Sequence, residues 1–171
     1  LRKYMPITWI TALLGSLALI GTPLFSGFYS KDSIIEAVHA STIAGSGFAY
    51  FAVLAGVFVT AFYSFRMYFL VFHGEERFRH KPYPGEHDHH GDHADVHEPH
   101  ESPWVVTAPL LLLALPSVVI GFLSIGALLH GGFFADAIVV DAARHPAMKT
   151  LSEHFHGAAA MALHGLQTAP F

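Results

Sequence analysis

The sequence predicts an all-α, polytopic membrane protein with three transmembrane segments, the first of them interrupted. Three observations carry that prediction. The 171 residues are 53% hydrophobic and only 13% charged, with a mean hydropathy of +0.45, a balance too apolar for an ordinary soluble domain. Residues 48–72 and 104–129 are two runs of membrane length, and Arg66 is the single charge in either. A third apolar run, residues 7–38, is broken by Gly21, Pro23, Gly27 and Lys31.

The first segment, residues 1–39, starts with the basic lead-in Leu1-Arg-Lys-Tyr-Met-Pro6. Pro6 suits a first helical turn, where its missing N–H is no loss. Residues 7–20 are uniformly apolar, and Ala12, Gly15, Ser16 and Ala18 leave room for a neighbouring helix. Taken as one straight helix, residues 7–38 would cover roughly 48 Å, against a hydrocarbon core of about 30 Å. Two readings fit. In one, the span stops near Phe28, and Lys31 and Asp32 begin a surface turn in the headgroups. In the other, two half-helices meet at membrane depth with Lys31 at the break. Ser33 followed by Glu36 is a capping-box pattern, so the second half-helix is expected to start there, with Lys31 just before its N-terminus. A lysine costs about 2.5–3.5 kcal/mol at a span centre. Non-helical backbone there must be satisfied by protein or water. A segment that carries both is a functional-site candidate. Lysine can exchange a proton, whereas arginine stays charged.

Residues 40–47 form a short uncharged turn before the second span at 48–72. Arg66 lies roughly 9 Å from the end of that span, close enough to snorkel to the headgroups. The alternative is a charge paired inside the bundle.

Residues 73–103 are polar and lack periodicity, as a long loop does. They contain Arg77, Arg79, Lys81 and a histidine run that includes His87, His89, His90 and His93. Histidine with carboxylate has the donor chemistry for Zn, Ni or Cu. The spacing is not that of a closed tetrahedral site. The sequence favours a solvated, low-complexity insert over adventitious metal binding.

The third span, residues 104–129, contains Pro109 and Pro116, with Trp104 suited to the interface. Residues 131–167 are mixed. An amphipathic helix is expected over 148–166, with Leu151, Phe155, Ala159, Ala162, Leu163 and Leu166 on one face. His154 and His156, two residues apart, do not share a helix face and so make no metal pair. Residues 168–171 read like the start of a further, truncated span.

Several function classes drop out. There is no cysteine, so disulfides, cysteine zinc sites and iron–sulfur ligation are absent from these residues. The net charge of −4 gives no nucleic-acid signal, and no dinucleotide or P-loop motif occurs. Three spans place the N-terminus and the 73–103 loop on one side. That side carries Arg2, Lys3, Arg77, Arg79 and Lys81 and reads as cytoplasmic. Residues 131–167 are then periplasmic.

Four stretches carry a resemblance: Met5-Pro-Ile-Thr, Gly15-Ser-Leu-Ala-Leu-Ile-Gly21, Ser26-Gly-Phe-Tyr-Ser-Lys31-Asp32 and Phe65-Arg-Met-Tyr-Phe-Leu-Val-Phe-His-Gly74. Together they resemble the C-terminal third of the largest antiporter-like membrane subunit, subunit L type, of bacterial proton-pumping NADH:quinone oxidoreductase (respiratory complex I). The similarity runs from Leu1 to about Leu129, is strong through His73, and fades from Gly131. It implies an interrupted helix whose lysine, here Lys31 with Asp32 beside it, lies on a proton path. It implies the lipid bilayer of a bacterial inner membrane and other membrane-arm subunits as partners. NADH, FMN, iron–sulfur clusters and quinone would be held in other subunits, and no cofactor in this chain. Multisubunit cation/proton antiporters and membrane-bound hydrogenases have similar subunits. A metal transporter is a further alternative, suggested by the histidine run, and a purely structural subunit is another.

Overall fold

The computed structural model describes residues 1–78, 98–134, 137–141 and 145–167. Among these, the secondary structure is entirely helical. The histidine run with His87, His89, His90 and His93, and the expected span start at 168–171, lie outside the described residues.

Helix α1 spans Pro6–Ile20 and begins with proline in its first turn. Its own N-cap residue, Met5, supplies no side-chain bond. The cap comes from far along the chain. Glu101 accepts hydrogen bonds from the Ile7 N–H (2.7 Å) and the Thr8 hydroxyl (2.6 Å), with a longer one from the Thr8 N–H (3.4 Å). A carboxylate here meets the positive end of the helix dipole. Desolvation, the largest single influence on Glu101, works against its charged form. The Thr8 hydroxyl and the Ile7, Ser102 and Thr8 N–H groups together outweigh it and hold its carboxyl below the ordinary carboxylate value.

At the other end, Gly21 adopts φ +86°, a left-handed conformation that glycine enters without a Cβ clash. Its N–H donates to Ala18 O (3.2 Å) and the Thr22 N–H to Leu17 O (3.0 Å). These two bonds form a Schellman closure of α1. The chain then turns through buried Pro23 and through Leu24, which also takes positive φ, 79°.

Helix α2, Ser26–His39, begins after extended Phe25. It therefore starts seven residues before the expected capping box. The Ser33 hydroxyl does not cap. It donates to Tyr29 O one turn back (2.7 Å), so Ser33 sits mid-helix. As a result Gly27 lies in the first turn of α2, not in the break, and Lys31 and Asp32 lie within the helix, not ahead of it. Gly27 has a different job. A Cβ at this position would stand 1.8 Å from the Ala18 carbonyl oxygen. Only glycine lets the two half-helices meet this closely.

Helix α3, Ser46–Phe72, and helix α4, Trp104–Ile125, are the two long apolar helices. A π turn, Gly126–His130, continues α4, so each apolar rod has 27 residues and is long enough to cross a membrane. At 1.5 Å per residue that is about 40 Å. α4 runs unbroken through Pro109 and Pro116. Their outer faces, including Phe51, Phe58, Phe62, Leu112, Leu115 and Leu123, are exposed. On α3 the buried residues are Ser64, Tyr68 and Phe72, spaced four apart on one stripe. α1 is apolar but shorter than those two.

The broken pair α1–α2 forms the centre. α3 and α4 each pack on both half-helices and scarcely touch each other. The Ser26 hydroxyl ties the start of α2 to Ser117 O of α4 (2.8 Å).

Residues 146–167 form two helices where one was expected: α5, Pro146–His154, and α6, Ala158–Gln167. The chain turns at 155–157, so the periodicity drawn through one continuous helix loses its phase. Leu151 and Ala162 are buried, whereas Leu163 and Leu166 are exposed. Phe155, freed by the turn, stacks on the His130 ring with centroids 3.8 Å apart and planes 9° apart. Both helices pack against α2. Beneath them lies a cluster of closely packed apolar side chains, Phe28, Tyr29, Ile125 and Ala162.

Candidate functional site

A helix that stops inside a protein leaves carbonyls without partners. The Schellman closure of α1 satisfies Leu17 and Ala18 and passes over Leu19. The Lys31 ammonium, reaching back from the second turn of α2, donates to Leu19 O. The contact places positive charge at the negative end of the α1 dipole. The side chain gets there by lying across Gly21. A Cβ on Gly21 would come within 3.0 Å of Lys31 Cδ. Gly21 is thus needed both for its backbone conformation and for the passage of the lysine stem.

At roughly 100° per residue, Lys31, Ile34 and Ile35 share one side of α2, and Ser33 and Glu36 point about 140–200° away. Each side has its own cavity. On the α3 side a cavity of about 230 Å³ is lined by Lys31, Ile34, Ile35, Val53, Gly56, Val57 and Thr60. On the opposite side a larger cavity of about 360 Å³ is walled by Ser33 and Glu36 of α2, His130 after α4, and α5–α6. Asp32 falls between the two faces. Both Lys31 and Asp32 are half-buried.

The structure therefore brings together Lys31, Asp32, Gly21, Pro23 and Gly27, all within two helical turns of the break. It sets Arg66 apart, exposed on α3 beside Phe58, Phe62, Phe65 and Phe69. Among the described residues no group of three or more metal-ligating side chains is placed to hold a metal ion. The Leu19 carbonyl is a backbone atom, and nothing in the residue pattern singles it out. His130, His154, His156 and His164 come to one cavity from separate elements. Reading His154 and His156 as a single-helix pair missed this, because His156 lies in the turn beyond α5.

These features describe a helical protein with two apolar rods of membrane length and a lysine closing a broken helix between them. The comparisons with known proteins agree. The family model described as NADH:quinone oxidoreductase/Mrp antiporter, transmembrane, matches residues 1–63. NADH-quinone oxidoreductase subunit L of Neisseria meningitidis serogroup A is 60% identical over 98% of this chain and 25% of its own length. Subunit L of Rhodobacter capsulatus is 40% identical over 81% of this chain and 18% of its own length. NAD(P)H-quinone oxidoreductase chain 5 of a Picosynechococcus strain is 44% identical over 73% of this chain and 19% of its own length. The chain belongs to the subunit L-type family of antiporter-like membrane subunits of NADH:quinone oxidoreductase. It spans a quarter or less of the length of these relatives.

Proposed function

We propose that this chain is part of the proton-translocating membrane arm of NADH:quinone oxidoreductase and carries one proton-exchanging station, Lys31 with Asp32. In this reading α1 and α2 form one interrupted span, and the chain crosses a bacterial inner membrane three times. The 73–103 loop faces the cytoplasm and residues 131–167 the periplasm. Flavin, iron–sulfur clusters, NADH and quinone belong to other subunits, and the membrane-arm subunits and lipid surround this one. The histidine run at 87–93 has no part in transport.

The observation that carries the reading is the lysine–carbonyl contact across the break. A protonated Lys31 is held by the Leu19 carbonyl and the α1 dipole. A neutral amine is held less firmly and is free to turn toward the cavity beside Val53 and Thr60. Protonation and the seating of α1 against α2 are thereby linked. Asp32, one residue on, tunes the balance by its own charge. The backbone at Gly21 and Pro23 keeps the break open.

The test is the assembled complex in proteoliposomes, with proton uptake and NADH oxidation measured on the same sample. Lys31→Ala is expected to lower the protons moved per NADH while electron transfer to an artificial acceptor persists. An unchanged ratio overturns the assignment.

A second reading keeps the same site in a multisubunit cation/proton antiporter. It is favoured by the matched family model, whose description covers both machines. NADH-driven pumping by the complex containing this chain decides between them.

A further inference from the structure

The first turns of α1 are held by both ends of the stretch that joins α3 to α4. Glu101, three residues before α4, accepts from the Ile7 N–H and the Thr8 hydroxyl at 2.7 and 2.6 Å. His73, the residue after α3, holds the next position: the Trp9 indole N–H donates to His73 Nε2 at 3.2 Å. Further contacts follow on the α3 side. The Arg2 N–H donates to Phe72 O (3.4 Å) and the Tyr4 hydroxyl to the Glu76 carboxylate (3.5 Å), and the Tyr4 ring meets the Phe78 ring edge-on at 5.6 Å. Thr8 and Trp9 lie about 100° apart round the helix. The two roots therefore grip α1 from two sides, one from the end of α3 and one from the start of α4.

A grip at one end of a helix acts at the other. The hydrogen-bonded rod is stiff along its axis, so fixing the first turns of α1 fixes the carbonyls of its last turn. Leu19 lies about 16 Å beyond Thr8 along that rod, and its carbonyl accepts from the Lys31 ammonium. Thr11 keeps its hydroxyl within the helix, on Ile7 O (2.9 Å), and adds nothing to the grip. Both roots depend on protonation state. Glu101 accepts as a carboxylate. The Trp9 indole can only donate, so His73 Nε2 must be bare, and a protonated imidazole carries hydrogen on both nitrogens and cannot accept. The charged and titratable groups facing His73 are the Leu1 amino group, Arg2, Lys3 and Tyr4 of the lead-in, Tyr68 of α3 and Glu76 of its own stretch. Glu101 has His100 beside it, with a ring nitrogen 3.0 Å from Glu101 O.

We propose that Glu101 and His73 are positioning residues for the exchanging lysine: together they set α1 along its axis so that the Leu19 carbonyl meets Lys31, and a proton on His73 releases one of the two roots. The proposal rests on the assignment of Lys31 as the exchanging group. An imidazole changes charge between about pH 5 and 8. Glu101, whose carboxyl is held below the ordinary carboxylate value, stays ionised over most of that range. The acid response therefore belongs to His73, and the steady part of the grip to Glu101.

The test uses the assembled complex in proteoliposomes, with assembly read by native gel and protons moved per NADH as the readout. His73→Leu removes the acceptor, and Trp9→Phe removes the donor while keeping an aromatic ring in place. Each is expected to lower the ratio about twofold or more, the effect of one lost hydrogen bond on a finely balanced seating. The double variant should be no worse than either single one, because both remove the same bond. His73→Gln, which restores a neutral acceptor, should recover part of the loss. The pH profile supplies a readout that simple loosening of the fold does not move. As the pH on the NADH side falls from about 7.5 to 5.5, the native ratio should fall more steeply than that of His73→Gln. Superimposable profiles, or native ratios in both His73→Leu and Trp9→Phe, overturn the proposal. Lys31→Ala, run in parallel, separates the two ideas. If it stops pumping while assembled His73→Leu and Trp9→Phe complexes pump normally, only the positioning role fails. If Lys31→Ala pumps normally, the site assignment fails and the positioning role falls with it.

Discussion

Lys31 caps the broken end of α1 by donating to the carbonyl oxygen of Leu19, twelve residues earlier in the chain. The other end of α1 is capped by Glu101, ninety-four residues after Ile7. A fifteen-residue helix is thus closed at both ends by charges of the sign its dipole prefers, each supplied from another element. This arrangement gives a short apolar helix a defined end on each side without a side-chain cap from its own N-cap residue.

The first prediction separates capping from exchange. Lys31→Arg keeps a permanent positive charge near the Leu19 carbonyl, so assembly should approach that of the native complex. Arginine does not give up its proton, so protons moved per NADH should fall as far as in Lys31→Ala. Assembly is read by native gel and pumping in proteoliposomes. Native pumping by the arginine variant would mean that the charge acts only as a cap.

The second concerns the contact between the half-helices. Gly27→Ala puts a methyl 1.8 Å from Ala18 O, a position that backbone must vacate. Overpacking of this kind costs about 1–3 kcal/mol. The variant should lower the thermal midpoint of the purified complex and also the pumping ratio, because the Lys31–Leu19 contact lies next to the displaced turn. Gly15→Ala serves as the control, since a Cβ there meets nothing within 4 Å.

The third follows from the sign of the Glu101 shift. Its folded-state pKa lies below the ordinary value. Its contribution is therefore present in full above the ordinary carboxylate pKa and is lost as pH falls through the folded one. The glutamate is only half-buried, and solvent screening keeps the effect modest. Glu101→Gln should be somewhat less stable than the native chain near neutral pH and match it under strong acid. Thermal midpoints taken across that range check it. A difference that persists in acid would show that the charge is not the cause.

A fourth prediction addresses the packing of α5–α6. Phe28 is fully buried in the cluster beneath these helices. Phe28→Ala should cost about 3–5 kcal/mol and loosen α6, seen as faster amide hydrogen exchange over residues 158–167. Exchange in α3, which has no part in that cluster, should be unchanged.

Much of the site was legible in the residues themselves. Gly21 and Pro23 mark the end of a helix by their own backbone preferences, and a lysine in an apolar stretch advertises its cost. The start of α2 was not legible. Ser33 and Glu36 have capping-box chemistry, but the Ser33 hydroxyl had a competing acceptor in Tyr29 O, and the start of the helix was decided at Ser26 by its bond to Ser117 of α4. That acceptor lies ninety-one residues away, beyond any local pattern. The split between α5 and α6 was hidden for a similar reason: Phe155 leaves the helical phase to stack on His130.

The sequence alone determined that this chain is helical and built for lipid, because apolar runs of that length leave the backbone no other way to satisfy its hydrogen bonds. It also marked the near edge of the break, at Gly21 and Pro23. Only the tertiary structure decided which groups meet at the break. Packing of α2 between α3 and α4 turned Lys31 toward the end of α1 and turned Glu36 the other way, toward His130 after α4 and the histidines of the α5–α6 stretch. Those are relations between side chains brought close in space, and their energy depends on distance and burial, which residue order does not contain.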